Sequence, residues 1–228
     1  QLGWPKGTAA GRFTPTKKEA QAYIDSTKPG FGVLEPWLFL ELQKSFKLTP
    51  IADVNGAELN SPNLHVVVKD PAIKNLDDLK GKRVWTHLAE SPRYLTKVVL
   101  DGKEDADKRF ALKQVSNAAK AARAVLRGEA DAAILDDEQL AAAKKNEGGA
   151  ALRSVFDSAT LPPVVAVVFG GNAKPEDVKA LTKGLVAACT VKGGAEICKE
   201  MYISNFTPQN AAVWSAAQKR YEAAAGGK

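Results

Sequence analysis

Polar side chains that could bind a ligand lie at the ends of two segments typical of β-strands. His87 ends the segment RVWTH, with Glu90 and Ser91 just beyond it, and Asp136 and Asp137 end the segment AAILDD. A serine before a proline suits the start of a helix, where free backbone N–H groups favour an anion. Carboxylates could instead accept a hydrogen bond from a ligand hydroxyl. We therefore expect ligand binding here, with helix capping or a purely structural histidine as the alternative for each residue.

No motif of a common enzyme active site or nucleotide-binding site occurs in the sequence. The patterns GxSxG, HExxH, GxGxxG and the Walker phosphate-binding loop are all absent. Asp136 and Asp137 are adjacent on a predicted strand, so their carboxylates point to opposite faces and do not form an acid and base pair. The sequence therefore predicts a protein that is not an enzyme and that holds no cofactor and no metal ion.

The composition is that of an ordinary globular protein. The chain has 228 residues, of which 45% are hydrophobic and 25% charged, and its formal net charge is +6. Its lysines and arginines are scattered, which argues against nucleic-acid binding and leaves only a mild attraction to anionic membrane surfaces. No apolar run approaches the roughly 18 residues needed to span a bilayer. The polar start contains no signal peptide, so we expect either a cytoplasmic protein or one whose signal has been removed.

The two cysteines, Cys189 and Cys198, are close in the sequence. Gly193 and Gly194 between them could form a turn. Two thiolates without further ligands at useful spacing do not suit a zinc site. The spacing favours a disulfide, which would indicate an oxidising compartment, and two buried thiols in a cytosolic protein are the alternative.

Strands and helices alternate between residues 76 and 137. The segments RVWTH, FALKQV and AAILDD are typical of strands, and Ser91 and Pro92 predict the start of a helix that runs to about Leu100. Such alternation predicts parallel strands in a sheet covered by helices, with ligands bound at the carboxyl ends of the strands. Residues 1–20 have no clear period and predict a loose segment.

Two extended segments could connect two lobes. The first crossing follows LHVVVKD near residues 70–71, and the second is SATLPPVV near 160–165, where two prolines stiffen the chain. These crossings predict a discontinuous first lobe of residues 1–70 plus 164–228 and a second lobe of 71–163. Two such connections would form a hinge that closes around a ligand.

The segments DPAIKNLDDLKGKRVWT, AARAVLRGEADAAILDD and LPPVVAVVFG occur in an order that resembles the periplasmic solute-binding proteins of the type II fold, in their phosphate- and phosphonate-binding branch. The pattern covers roughly residues 31–205. The resemblance implies an α/β fold of two hinge-linked lobes, with mixed sheets flanked by helices. It also implies a monomeric periplasmic receptor that closes on a small molecule or lipid and delivers it to a membrane transporter.

The sequence departs from that family in two places. No convincing first strand lies in residues 1–20, so a native N-terminal strand or lipid anchor could precede them. The phosphonate binders also have a turn rich in Ser, Thr and Gly before the helix that follows the first strand of their second lobe. The turn here is HLAESPRYL, in which Ser91 is the only Ser or Thr, Glu90 adds negative charge and no glycine allows close backbone approach.

The candidate ligand residues combine aromatic and polar side chains at both lobe edges and at the hinge. They are Phe31, Glu35, Trp37, Trp85, His87, Glu90, Ser91, Tyr94, Asp136 and Pro162. The aromatic members could instead belong to the core, Trp85 above all.

The functional expectation from these residues is a transport receptor that leans towards an apolar, hydroxyl-bearing ligand such as a lipid or sterol. The first alternative is a phosphate- or phosphonate-type oxyanion bound for an ABC transporter. The second is an enzyme on the same fold, because folds host unrelated functions. A charge-driven module that binds nucleic acid or surfaces is the third.

Overall fold

The computed structural model describes residues 10–56 and 62–223. Their strands, in chain order, are β1 (Phe31–Leu34), β2 (Thr49–Asn55), β3 (Leu64–Val68), β4 (Arg83–Thr86), β5 (Ala111–Gln114), β6 (Ala132–Asp136), β7 (Arg153–Asp157), β8 (Val164–Val168) and β9 (Asn205–Thr207). Their α-helices are α1 (Lys17–Thr27), α2 (Pro36–Leu42), α3 (Pro92–Tyr94), α4 (Ala106–Arg109), α5 (Ala118–Leu126), α6 (Asp137–Lys144), α7 (Pro175–Ala188), α8 (Gly194–Glu200) and α9 (Ala211–Glu222).

The chain divides into two compact units. Unit 1 comprises residues 1–60 and 163–210, and unit 2 comprises residues 61–162 and 211–228. The chain therefore passes between the units three times, and both are assembled from separate stretches of sequence. In the described part of the chain, no helix is both long and apolar enough to cross a membrane.

Unit 1 contains a four-stranded sheet in the order β1-β8-β2-β9, and all of its pairs are antiparallel. The central strand β8 is buried along its whole length. Its run of β-branched residues explains this position, because such residues pack well within a sheet that is covered on both faces. The core beside it includes Val54, Ala166 and Phe206.

Helices α7 and α8 of unit 1 are joined by a disulfide between Cys189 and Cys198, whose Cα atoms are 5.6 Å apart. The predicted disulfide is therefore confirmed. Cys198 is buried in the core of unit 1, and Cys189 packs against the same core. The link thus attaches the short α8 to the end of α7.

Unit 2 contains a five-stranded sheet in the order β5-β4-β6-β3-β7. Strand β4 is parallel to both β5 and β6, as the alternating pattern predicted, and β3 is antiparallel to β6 and β7. Helix α5 packs its alanine-rich face on β6, and Asn117 caps it by accepting a hydrogen bond from the Lys120 N–H. The helix ends before Gly128, whose φ of +73° suits a residue without a side chain.

Helix α1 begins within residues 1–20, for which the sequence predicted a loose segment. Thr16 accepts a hydrogen bond from the Glu19 N–H at 3.2 Å, and the buried Ala20 and Ile24 attach the helix to unit 1. The four residues from Thr16 to Glu19 have the pattern of a capping box, which was the available signal. Residues 1–9 lie outside the described residues.

Two elements lie in a different unit from the lobe that the sequence predicted for them. Strand β3 was placed in the first lobe, but it pairs with β6 and β7 of unit 2. Helix α9 was also placed in the first lobe, but in unit 2 it buries Trp214 and Tyr221, and Arg93 donates to the Tyr221 carbonyl oxygen at 3.1 Å. The hinge positions stay a prediction.

We predict that replacing Cys189 and Cys198 together by alanine lowers the free energy of unfolding of unit 1 by about 2.5–3 kcal/mol. The reason is that a closed loop of this length restricts the unfolded chain by about that amount. Denaturant unfolding of the oxidised protein and the double variant measures the difference. Addition of a reductant to the wild type should reproduce it, and equal stability of all three would contradict the prediction.

Candidate functional site

The carboxyl ends of β4, β5 and β6 lie side by side at the same end of the unit 2 sheet, because these strands run parallel. The residues at these ends are the loop from His87 to Ser91, which follows β4, and the last residues of β5 and β6, Gln114 and Asp136. Strand β3 starts at the same edge because it runs in the opposite direction, which places His65 there. We call this set of residues the carboxyl edge. It is the usual position of a ligand in sheets of this kind.

Gln114 holds the loop that follows β4. Its side-chain amide donates to the His87 carbonyl oxygen at 2.8 Å, and its side-chain oxygen accepts from the Glu90 N–H at 3.1 Å. The Ser91 N–H also donates to the Leu88 carbonyl oxygen at 2.9 Å. Sequence analysis missed Gln114, although its position at the end of the segment FALKQ was the available signal. The loop is therefore fixed by the neighbouring strand.

Ser91 begins the helical segment that follows this loop, as predicted, but its side chain does not cap it. The residue is only 5% exposed, and its hydroxyl oxygen has no hydrogen-bond partner among the residues that the structure describes. The sequence predicted one helix that runs to about Leu100. The helical segment has that extent, but its type changes, because the α-helical turn α3 is followed directly by a π-helix at Leu95–Val99. Wider turns of this type occur frequently at functional sites.

Asp136 caps the helix that follows β6. Its carboxylate accepts from the Gln139 N–H at 2.7 Å, while the Gln139 side chain accepts from the Asp136 N–H at 3.0 Å. The sequence left helix capping open as the alternative for both Asp136 and Asp137. Burial raises the pKa of the Asp136 carboxyl, opposed by the Gln139 N–H and by the charge of His87. His87 and Asp136 are thus brought together, and the half-buried carboxyl holds its charge less readily than an exposed one.

His65 forms a second cluster at the carboxyl edge. Its Nδ1 lies 2.6 Å from Asp157 Oδ1, and its Nε2 lies 2.9 Å from Asp137 Oδ1. Ser154 donates its hydroxyl hydrogen to Asp157 at 2.6 Å. Burial of His65 opposes its charge, but the hydrogen bonds and charges of the two carboxylates outweigh this and raise its pKa. No sequence signal joined these residues, because they lie in three separate segments.

The other predicted site residues of unit 2 differ in how far they are exposed to solvent. Tyr94 is 4% exposed. Trp85 packs partly against the core, and the Lys113 ammonium lies 3.8 Å from the centre of its ring. Glu90 is exposed, and Pro162 is buried at the end of a unit 2 segment.

Three predicted site residues belong to unit 1. Phe31 begins β1 and pairs with Val168 of β8. Glu35 precedes α2, and its carboxylate accepts from the Trp37 indole N–H at 2.5 Å. This contact turns the polar end of the Trp37 ring towards an acid on its own segment. No group of three or more His, Cys, Asp or Glu side chains in the described ranges could hold a metal ion.

The sequence matches a known protein family over most of its length. Residues 13–214 match the model of the family described as ABC transporter, phosphonate, periplasmic substrate-binding protein. No protein with a curated function matches the sequence.

Several solved structures share this fold at low sequence identity. A Xanthomonas citri protein bound to ATP is 16% identical, with a TM-score of 0.70 over 91% of this chain and 84% of the other. A Prochlorococcus marinus protein in complex with methylphosphonate is 14% identical, with a TM-score of 0.60 over 88% and 80%. The periplasmic aliphatic sulphonate binding protein of Escherichia coli is 16% identical, with a TM-score of 0.58 over 92% and 78%. These matches confirm the predicted fold class.

We predict that Asp136→Ala lowers the free energy of unfolding by about 1 kcal/mol, because α6 loses the oxygen that accepts from the Gln139 N–H. Asp136→Asn should change it by less than about 0.5 kcal/mol, because the asparagine side chain keeps that oxygen. Urea unfolding of the two variants measures the difference. Equal destabilisation by both substitutions would show that the cap contributes nothing.

Proposed function

Because the chain belongs to the family of phosphonate-type periplasmic substrate-binding proteins of ABC transporters, we propose that it binds a small phosphate- or phosphonate-like oxyanion at the carboxyl edge, with Ser91 as a direct ligand. Family membership makes the chain a periplasmic, substrate-binding component of a transport system. Its partner is accordingly a membrane transporter, and its family is not one of enzymes. The identity of the ligand and the role of Ser91 are the proposal.

One observation carries the proposal, namely the buried Ser91 hydroxyl without a partner. Nearly all buried polar groups in proteins are hydrogen-bonded, and one that is not destabilises the fold by about 1–3 kcal/mol. Such a group is expected where a ligand completes the hydrogen bonding. An oxyanion fits, because each of its oxygens accepts a hydrogen bond from a hydroxyl.

The charges at the carboxyl edge limit which anions fit. Glu90 and Asp136 would repel an anion if both were fully ionised. The raised pKa of Asp136 reduces that repulsion, because burial keeps a larger fraction of this carboxyl neutral at a given pH. A protonated Asp136 could also donate a hydrogen bond to the oxyanion. We therefore expect anion affinity to increase as the pH falls towards the pKa of Asp136.

The solved relatives support an oxyanion. Methylphosphonate, ATP and sulphonates, which occur in the descriptions of three of them, share phosphoryl or sulphonyl oxygens. The lipid or sterol ligand finds no such support. Two of the aromatic residues expected to line an apolar site, Trp85 and Tyr94, are instead packed in unit 2. A lipid ligand is therefore kept only as an outcome of the test.

We predict that Ser91→Ala weakens oxyanion binding by about ten- to a hundredfold, because a hydrogen bond to a charged group contributes about 1.5–3 kcal/mol. Isothermal titration calorimetry with inorganic phosphate, methylphosphonate, methanesulfonate and a sterol measures the affinities. The substitution should leave the free energy of unfolding unchanged or raise it, because the hydroxyl that it removes is unpaired.

Ser158→Ala is the matched control. Ser158 is 7% exposed, but its hydroxyl oxygen accepts from the Leu64 N–H at 2.9 Å. Its loss should lower stability and leave affinity unchanged. Wild-type affinity for the sterol alone, or oxyanion affinity that Ser91→Ala does not change, would overturn the proposal.

A further inference from the structure

His65 is held between two carboxylates from different elements of unit 2. Asp157 ends β7, and Asp137 is the first residue of α6. The histidine side chain is 13% exposed, and its ring nitrogens lie 2.6 and 2.9 Å from the two acids. We call these three residues the His65 clasp.

The clasp requires a positively charged histidine. An ionised carboxylate only accepts hydrogen bonds, so both ring nitrogens must carry a hydrogen to bond both acids. Asp157 is suited to remain ionised, because the hydrogen bonds from His65 and Ser154 lower its pKa. With an imidazolium, the clasp has a net charge of −1. When His65 loses its proton, the net charge becomes −2 and one of the two hydrogen bonds is lost.

The clasp holds the part of α6 that adjoins the proposed anion site. Asp137 follows directly on Asp136, which caps α6 and interacts with His87. The bond from His65 to Asp137 therefore attaches the first turn of α6 to β3, and the bond to Asp157 attaches the same ring to β7. Loss of either bond leaves the first turn of α6 less firmly placed.

We propose that His65 is a positioning residue for the anion site: its imidazolium fixes the first turn of α6, and with it Asp136, so that anion affinity falls when His65 loses its proton. This inference rests on the proposed function. Two effects act in the same direction, since deprotonation loosens the turn that carries Asp136 and also adds one negative charge at the carboxyl edge.

The pH range in which the clasp is lost follows from the titratable groups around His65. Asp157 of β7 and Asp137 of α6 contact His65 directly, and Asp136 of β6 and His87 are the neighbouring titratable groups of the carboxyl edge. The two hydrogen-bonded acids raise the pKa of His65 above its ordinary value of 6.5. The clasp is therefore fully formed below that value and is lost as the pH rises through the higher value of the folded protein.

The test compares wild type and His65→Gln between pH 6 and 9. Each is titrated with inorganic phosphate and with methylphosphonate, and the ratio of wild-type to variant affinity is taken at each pH so that ionisation of the ligand cancels. For His65→Gln we expect a ratio of about ten at pH 6, falling towards one at pH 9, because the wild type loses one charge-assisted hydrogen bond and one positive charge with the proton and the variant has neither at any pH.

Asp131→Asn is the control, because the Arg83–Asp131 pair joins the start of β4 to the start of β6, at the end of the sheet opposite to the carboxyl edge. Its affinity ratio to wild type should not change with pH. A ratio for His65→Gln that stays constant across the range would overturn the inference.

Nuclear magnetic resonance of the imidazole nitrogens provides a readout that needs no ligand. At pH 6 both nitrogens of His65 should be protonated, and the amide signals of residues 136–139 should shift as His65 titrates. In His65→Gln these signals should stay near their high-pH positions. If the wild type binds neither anion, the proposed function fails, and the role of His65 in holding α6 is then judged from these signals alone. A neutral His65 at pH 6, or α6 amide signals that do not shift as His65 titrates, would overturn the positioning role.

Discussion

The parallel pairing of β4 with β5 and β6 is the constraint on which the account depends. Parallel strands end at the same edge, so residues far apart in the sequence meet there although no sequence motif links them. Ser91 follows β4, and Gln114 and Asp136 end β5 and β6, yet all three lie at this edge. The pairing is stable because α5 covers β6 with small apolar residues, and the buried core leaves only the strand ends free for polar chemistry.

Much of unit 2 could be predicted from the sequence because its signals are local. The β-branched strands, the cap at Asn117 and the glycine after α5 each act within a few residues. Strand β3 lies in a different unit from the lobe predicted for it, because its pairing with β6 and β7 is long-range. Helix α9 differs for the same reason, since its contacts with Arg93 and the π-helix join residues more than a hundred positions apart.

The candidate site was predictable in position but not in detail. Strand ends identified Ser91, His87 and Asp136, because the carboxyl edge follows from strand order alone. The sequence could not show that the Ser91 hydroxyl lacks a partner, or that His65 lies between two acids, since both depend on side-chain packing. The preference for an apolar ligand rested on the turn HLAESPRYL and on the aromatic candidates, of which Trp85 and Tyr94 pack within unit 2.

We propose above all that the carboxyl edge of unit 2 binds an oxyanion. Backbone amide chemical shifts during titration with methylphosphonate measure this binding residue by residue. Saturable shifts are expected in residues 88–91, at Gln114 and at Asp136, in unit 2. Saturable shifts confined to unit 1, or no shifts at millimolar methylphosphonate and phosphate, would contradict the proposal.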